Sequence, residues 1–149
     1  MRHKKTKHYI IIMTGTKLQE LLDAHCLEMK ANMPGFLFYG ILSCKDGTIL
    51  SKASANEESS KIVEQSSAFH LTIVDQVKKV MNSNKSMGET ALDYILIEAD
   101  KITYMLMISA LGKFFSITAL DRPKSNIGIS RALLYKCKAE FGTMLDDFF

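Results

Sequence analysis

Residues 91–120 read ALDYILIEAD KITYMLMISA LGKFFSITAL, and their reading decides the fold. Three apolar runs are punctuated by Ala99-Asp100-Lys101 and Leu111-Gly112-Lys113, each break short enough for a hairpin turn. The pattern predicts an antiparallel three-stranded meander. In the middle run Ile102, Tyr104, Leu106, Ile108 and Ala110 share one face, while Thr103, Met105, Met107 and Ser109 share the other. Both faces are largely apolar, so both need covering, which a sheet open to water on one side would not. The rest of the chain supplies that cover.

Upstream, Thr16 can cap a helix from about Lys17 to Asn32, ended by Pro34-Gly35. At ~100° per residue, Leu18, Leu21, Leu22, His25, Cys26, Met29 and Met33 fall on one arc, so the helix lies on something apolar. FLFYGILSC (36–44) then reads as a strand, Lys45-Asp46-Gly47 as a tight turn and Thr48 to Ala53 as the return strand. Gly40 inside the first strand signals a bulge or a close backbone approach. The polar return strand suits a sheet edge.

A long helix follows from about Glu57 to Asn82, with acidic residues in its first turn and Lys78 and Lys79 expected in its last. Ile62, Val63, Phe69, Ile73, Val74, Val77, Val80 and Met81 span roughly 140° around it, wide for a single contact. After the meander, Ser125 or Asn126 caps a terminal helix lined by Ile127, Leu133, Leu134, Cys137, Phe141, Met144 and Leu145. The final LDDFF either extends this stripe or hangs free.

The fold class expected is therefore α/β in the α+β sense. A five-stranded antiparallel sheet carries two helices on one face and one on the other, in the order helix, two strands, helix, three strands, helix. Three segments are expected: a basic arm over 1–14, one domain over 15–145 and a tail over 146–149. Leu92 to Glu98, at the far edge, has unpaired backbone groups and only Asp93 and Glu98 as charged gatekeepers. Such an edge invites another chain.

Composition narrows the function. A chain of 149 residues that is 47% apolar can bury a real core. The net charge of +3 comes from the first residues: Arg2, Lys4, Lys5 and Lys7 supply four positive charges, and the remainder is near neutral. A broad nucleic-acid footprint is thereby absent, and the arm reads as a solvated terminus. Cys26, Cys44 and Cys137 are widely spaced and fit neither a disulfide framework nor a zinc site, which suits a reducing, cytoplasmic setting. No run approaches the ~18 apolar residues of a membrane span, and Tyr9 to Met13 is too short for a signal-peptide core.

Catalytic motifs are scarce. His25 and Cys26 point about 100° apart on a helix and have no orienting acid, so a core role is expected for both. His70 has no companion at ligand spacing, so no metal and no cofactor is expected. Gly112-Lys113 lacks the upstream glycine and the Ser or Thr of a phosphate loop.

The order of elements and several turn residues resemble the roadblock domain, the dynein light chain type within the profilin-like and longin-like group. The likeness runs from about Thr16 to Met144. It is carried by GILSCKDGTIL (40–50), ILIE (95–98), ALGKFFSI (110–117) and NIGISR (126–131). The resemblance implies a homodimer, or a heterodimer with a sister domain, formed by the first meander strand and the long middle helix. Its interface would hold Leu92, Tyr94, Ile95, Ile97, Val63, His70, Val74 and Met81, with Glu64, Ser67, Leu71, Asp75 and Lys78 meeting a further partner.

Members of that family serve as cargo or scaffold subunits and, in prokaryotes, as regulators of Ras-like small GTPases. The expectation is thus a non-catalytic dimeric regulator or scaffold for a small GTPase. It would have no nucleic-acid partner and no integral membrane segment. An arginine finger would have to be Arg2, Arg122 or Arg131, for which ordinary surface roles are favoured. The alternatives are a nucleotide-independent assembly or cargo-adaptor subunit, and a small-molecule sensor. The sensor needs a pocket of ~300 Å3 or more between sheet and helix, with Tyr39 and Tyr104 as inward polar groups.

Overall fold

In the computed structural model residues 14–83, 86, 88 and 92–148 are described, and the basic arm with Arg2 lies outside them. The meander forms as its turn residues require. Ala99 N–H donates to Ile102 O (2.9 Å) and Gly112 N–H to Ser109 O (2.9 Å), closing the two turns. The strands they join are β3 (Tyr94–Glu98), β4 (Ile102–Ile108) and β5 (Phe114–Asp121), paired antiparallel throughout. Both outer boundaries fall inside the expected ones. Leu92 precedes β3, and Ser109 and Ala110 belong to the turn rather than to β4.

The upstream hairpin is β1 (Phe36–Ser43) and β2 (Ile49–Ser54). Gly47 takes a φ of 78° in its turn, and Asp46 accepts the Thr48 N–H at 3.0 Å. That left-handed backbone is open to glycine at little cost, which is why Asp-Gly marks the turn. Gly40 marks a close approach: a Cβ there would meet the Phe38 ring at 2.8 Å. The bulge in the β1–β2 ladder falls one residue later, between Ile41 and Leu42. β1 also pairs with β5, so the sheet runs β2-β1-β5-β4-β3 and is antiparallel at every step.

Helix α1 (Gly15–Asn32) starts two residues earlier than expected, because Thr14 and not Thr16 accepts the Lys17 N–H (3.1 Å). α2 (Glu57–Ser83) runs to Ser83, which puts Lys78 and Lys79 back from its last turn. α3 (Ile127–Cys137) is capped by Asn126 Oδ1 on the Ile129 N–H (3.0 Å). A π-helical turn, Lys138–Gly142, links it to the short α4 (Thr143–Phe148).

Two apolar layers result. α1, α3 and α4 cover the face bearing Tyr39, Ile41, Met105, Met107 and Phe114. α2 covers the face bearing Phe38, Leu42, Leu106, Ile108, Phe115 and Ile117. Each of these large side chains that is removed from water contributes about 1.5–3 kcal/mol. The expected two-and-one arrangement of the long helices is therefore present. The chain end belongs to the first layer. Leu145 is buried, and Asp146, taken above as the start of a tail, is only 2% exposed. Its carboxylate accepts from Ser109 Oγ (2.9 Å) and the Leu111 N–H (2.8 Å), which draws α4 onto the β4–β5 turn.

Candidate functional site

Among the described residues β3 has one hydrogen-bonded neighbour, β4, and its outer side is an open edge. Which groups face outward follows from the ladder. Ala99 N–H reaches Ile102 O and Ile108 N–H reaches Asp93 O (3.1 Å), so the odd-numbered residues direct their backbone groups at β4. Those of Tyr94, Leu96 and Glu98 point away from the sheet. Leu96 is 40% exposed, an apolar side chain on an edge without a charged guard of its own.

The side chains of β3 divide between the two faces. Ile95 and Ile97 are half-buried and join Leu92 in the layer under α2. Tyr94 lies on the opposite face, edge-on to Tyr135 at 6.3 Å, with the Arg131 guanidinium 5.6 Å from its ring centre. Tyr135 Oη and Lys138 Nζ both donate to Asp93, at 2.5 and 2.6 Å, and these bonds hold the Asp93 carboxyl below its ordinary range.

The wide apolar arc of α2 splits into two stripes. Val63 and Val74 are buried against the helix's own sheet, and His70 packs on Tyr104 with ring centres 5.1 Å apart. Burial pushes the His70 imidazole below its ordinary value, and its Nδ1 has no hydrogen-bond partner among the described residues. These three expected interface residues thus serve the protomer's own core. The second stripe is exposed: Ile62 at 46%, Phe69 at 72% and Val80 at 64%. They stand seven and eleven residues apart, close to two and three full turns, so they form one line.

The flank that this line occupies is fixed by the residues on the other side. Glu64 forms an ion pair with Lys52 on β2, and Leu71 sits against the β1–β2 turn near Gly47. The line of Ile62, Phe69 and Val80 is on the opposite flank of α2, turned away from β2. At the end of α2, Met81 and Leu92 line one recess of about 260 Å3 together with Ile108 and Leu111.

The five residues expected to meet a further partner mostly make contacts within the chain. Besides Glu64 and Leu71, Lys78 Nζ donates to Gly112 O (2.7 Å) and Ser67 Oγ donates to Glu64 O (2.9 Å). Asp75 is half-buried. The exposed residues that sequence reasoning passed over, Ile62, Phe69 and Val80, had a signal in the width of the arc. What the periodicity could not give was which margin of the arc faced the sheet.

Arg122 and Arg131 take surface positions. Arg122 donates to Ala99 O (2.8 Å) and lies 3.6 Å from Glu98, bracing the β3–β4 turn, while Arg131 covers Tyr94.

His25 pairs not with its neighbour Cys26 but across the core. Its Nε2 lies 3.0 Å from Tyr39 Oη and 2.9 Å from Cys137 Sγ, and Tyr39 Oη lies 3.2 Å from the same sulfur. Burial pushes the Cys137 and Cys26 thiols up to about 11 and the His25 imidazole down. A thiol that stays protonated at neutral pH is a poor nucleophile, so the triangle ties α1, β1 and α3 together. The adjoining cavity, lined by Tyr39, Met107, Cys137 and Phe141, holds about 40 Å3, far below a ligand pocket of ~300 Å3. Tyr104 is engaged by His70. Among the described residues no group of three or more His, Cys, Asp or Glu is placed to hold a metal ion, and no helix is long and apolar enough to cross a membrane.

No known family profile and no curated protein matches the sequence. Solved structures do match in shape. Myxococcus xanthus MglB aligns with a TM-score of 0.61 at 13% identity, over 93% of this chain and 96% of that one. The gliding protein MglB of Thermus thermophilus aligns with a TM-score of 0.68 at 8% identity, over 87% and 92%. A Roadblock/LC7 domain from Streptomyces avermitilis aligns with a TM-score of 0.60 at 14% identity, over 79% and 95%. Identities this low speak for the architecture alone, and together with the strand order and the layering of the helices they establish that this chain has the roadblock fold.

Proposed function

We propose that the chain is a dimeric, non-catalytic regulator or scaffold for a Ras-like small GTPase, acting in the cytoplasm. Two observations carry the reading: the exposed line Ile62, Phe69 and Val80 on the flank of α2 away from β2, and, among the described residues, a β3 edge with no strand beyond it. Edge-to-edge pairing of two β3 strands gives Tyr94, Leu96 and Glu98 backbone partners. The same movement lays two α2 helices side by side and covers the apolar line. A GTPase then docks across the outer surface of the paired helices and has its switch segments held or released there, the chemistry remaining with its bound nucleotide. The roadblock fold, shared with the two MglB structures, supports this class of partner.

The test is to mix the purified protein with Ras-like GTPases loaded with GTP or GDP. A complex that forms with one nucleotide state supports the reading, and absence of any nucleotide-dependent complex removes it. A stable complex indifferent to nucleotide selects the assembly-subunit reading instead. The sensor reading, as a pocket between sheet and helix, has against it the 40 Å3 of the core cavity.

A further inference from the structure

At the end of the sheet remote from the β3–β4 turn, the β1–β2 and β4–β5 turns stand together, joined by the Cys44 N–H donating to Lys113 O (2.8 Å). Between them opens a cleft of about 650 Å3, walled by Ser43, Thr48, Leu50 and Phe114 and by three lysines, Lys45, Lys78 and Lys113. That volume is in the range of small-molecule sites. The lysines come from three separate elements, so no helix or strand periodicity would have grouped them.

The lysines are held in place from beneath. Lys78 Nζ donates to Gly112 O (2.7 Å), while Lys113 Nζ donates to Asp146 O (3.0 Å). Each ammonium has three donors, and these contacts hold two of the three side chains at the rim before any ligand arrives. Of the acidic groups in range, Asp146 gives its carboxylate to Ser109 and Leu111, and Asp46 gives one oxygen to the Thr48 N–H. These bonds orient the two carboxylates without removing their charge: Asp46 itself lines the cleft, and Asp75 and Asp146 act on the Cys44 thiol within it, so the lysines stand beside carboxylates.

We propose that this cleft binds a soluble, phosphate-bearing small molecule of nucleotide size, with its phosphates against Lys45, Lys78 and Lys113 and its apolar part along Leu50 and Phe114. Lysine ammonium groups suit phosphate as point charges, and the ordered turns supply the shape. The inference is independent of dimer formation and of any GTPase.

The experiment is a calorimetric titration of the full chain with pyrophosphate and with ATP at matched ionic strength, accompanied by amide NMR spectra. Saturable binding is expected, with shifts confined to residues 43–48, Lys78 and 111–114. The double variant Lys45→Gln, Lys113→Gln should weaken it about tenfold or more. Lys45→Gln alone, on an exposed turn, serves as the second variant should the double one lose thermal stability. No saturable response at millimolar probe, unchanged affinity in the variants, or shifts scattered over all basic residues would each overturn the proposal. Binding only to vesicles carrying phosphoinositides, with no response to the free probes, would also overturn it.

Discussion

Phe69 offers the sharpest test of the exposed line on α2. An aromatic side chain buries 150–250 Å2, so at 72% exposure roughly 110–180 Å2 is left for a partner to cover. At about 25 cal/mol per Å2 that is some 3–4.5 kcal/mol, an upper figure. Ordering costs at an interface reduce it, and about 2 kcal/mol is a realistic share for one anchor. Across a two-fold axis the residue occurs twice, so Phe69→Ser should weaken the dimer by about 4 kcal/mol, close to a thousandfold in Kd. The protomer itself should change by no more than about 0.5 kcal/mol, since the side chain leaves the core untouched. Sedimentation equilibrium measures the first quantity, and urea unfolding of the dissociated protein the second. A parent protein that stays monomeric at high concentration, or a variant whose Kd is unchanged, would refute the reasoning.

Leu96→Pro removes an outward N–H while leaving the ladder to β4 intact, so it should abolish dimerisation by light scattering and cost the protomer about 1 kcal/mol. His25 and His70 are both buried with lowered pKa values. The unfolded chain therefore takes up protons first, and their contribution to stability, present above about pH 6.5, is lost as pH falls toward the folded values. Urea midpoints at pH 7.5 and 5.5 should show the drop, and His70→Phe should make it shallower. Asp146→Ala strands the Leu111 N–H and the Ser109 hydroxyl, and should cost about 2–3 kcal/mol, or about 5–10 °C in Tm by calorimetry. An unchanged Tm would mean that α4 does not hold the β4–β5 turn.

The sequence by itself determined the sheet. Alternating apolar residues on both faces of 102–108, short turns at Asp46-Gly47 and Leu111-Gly112, and the 3.6-residue periods of three helices leave few other ways to bury so much apolar surface. It also marked 92–98 as the unguarded margin, because no charge interrupts Tyr94 to Ile97. Tertiary structure decided the rest. Periodicity reports which residues of α2 share an arc but not which part of the arc meets the sheet. Val63, His70 and Val74 therefore fell to the core, and Ile62, Phe69 and Val80 to the surface. The pairing of His25 with Tyr39 and Cys137, the docking of Asp146 on the β4–β5 turn and the convergence of Lys45, Lys78 and Lys113 link positions far apart in the chain. Local propensity carries no record of such contacts, since they exist only once the elements have packed and their polar groups must find partners out of water.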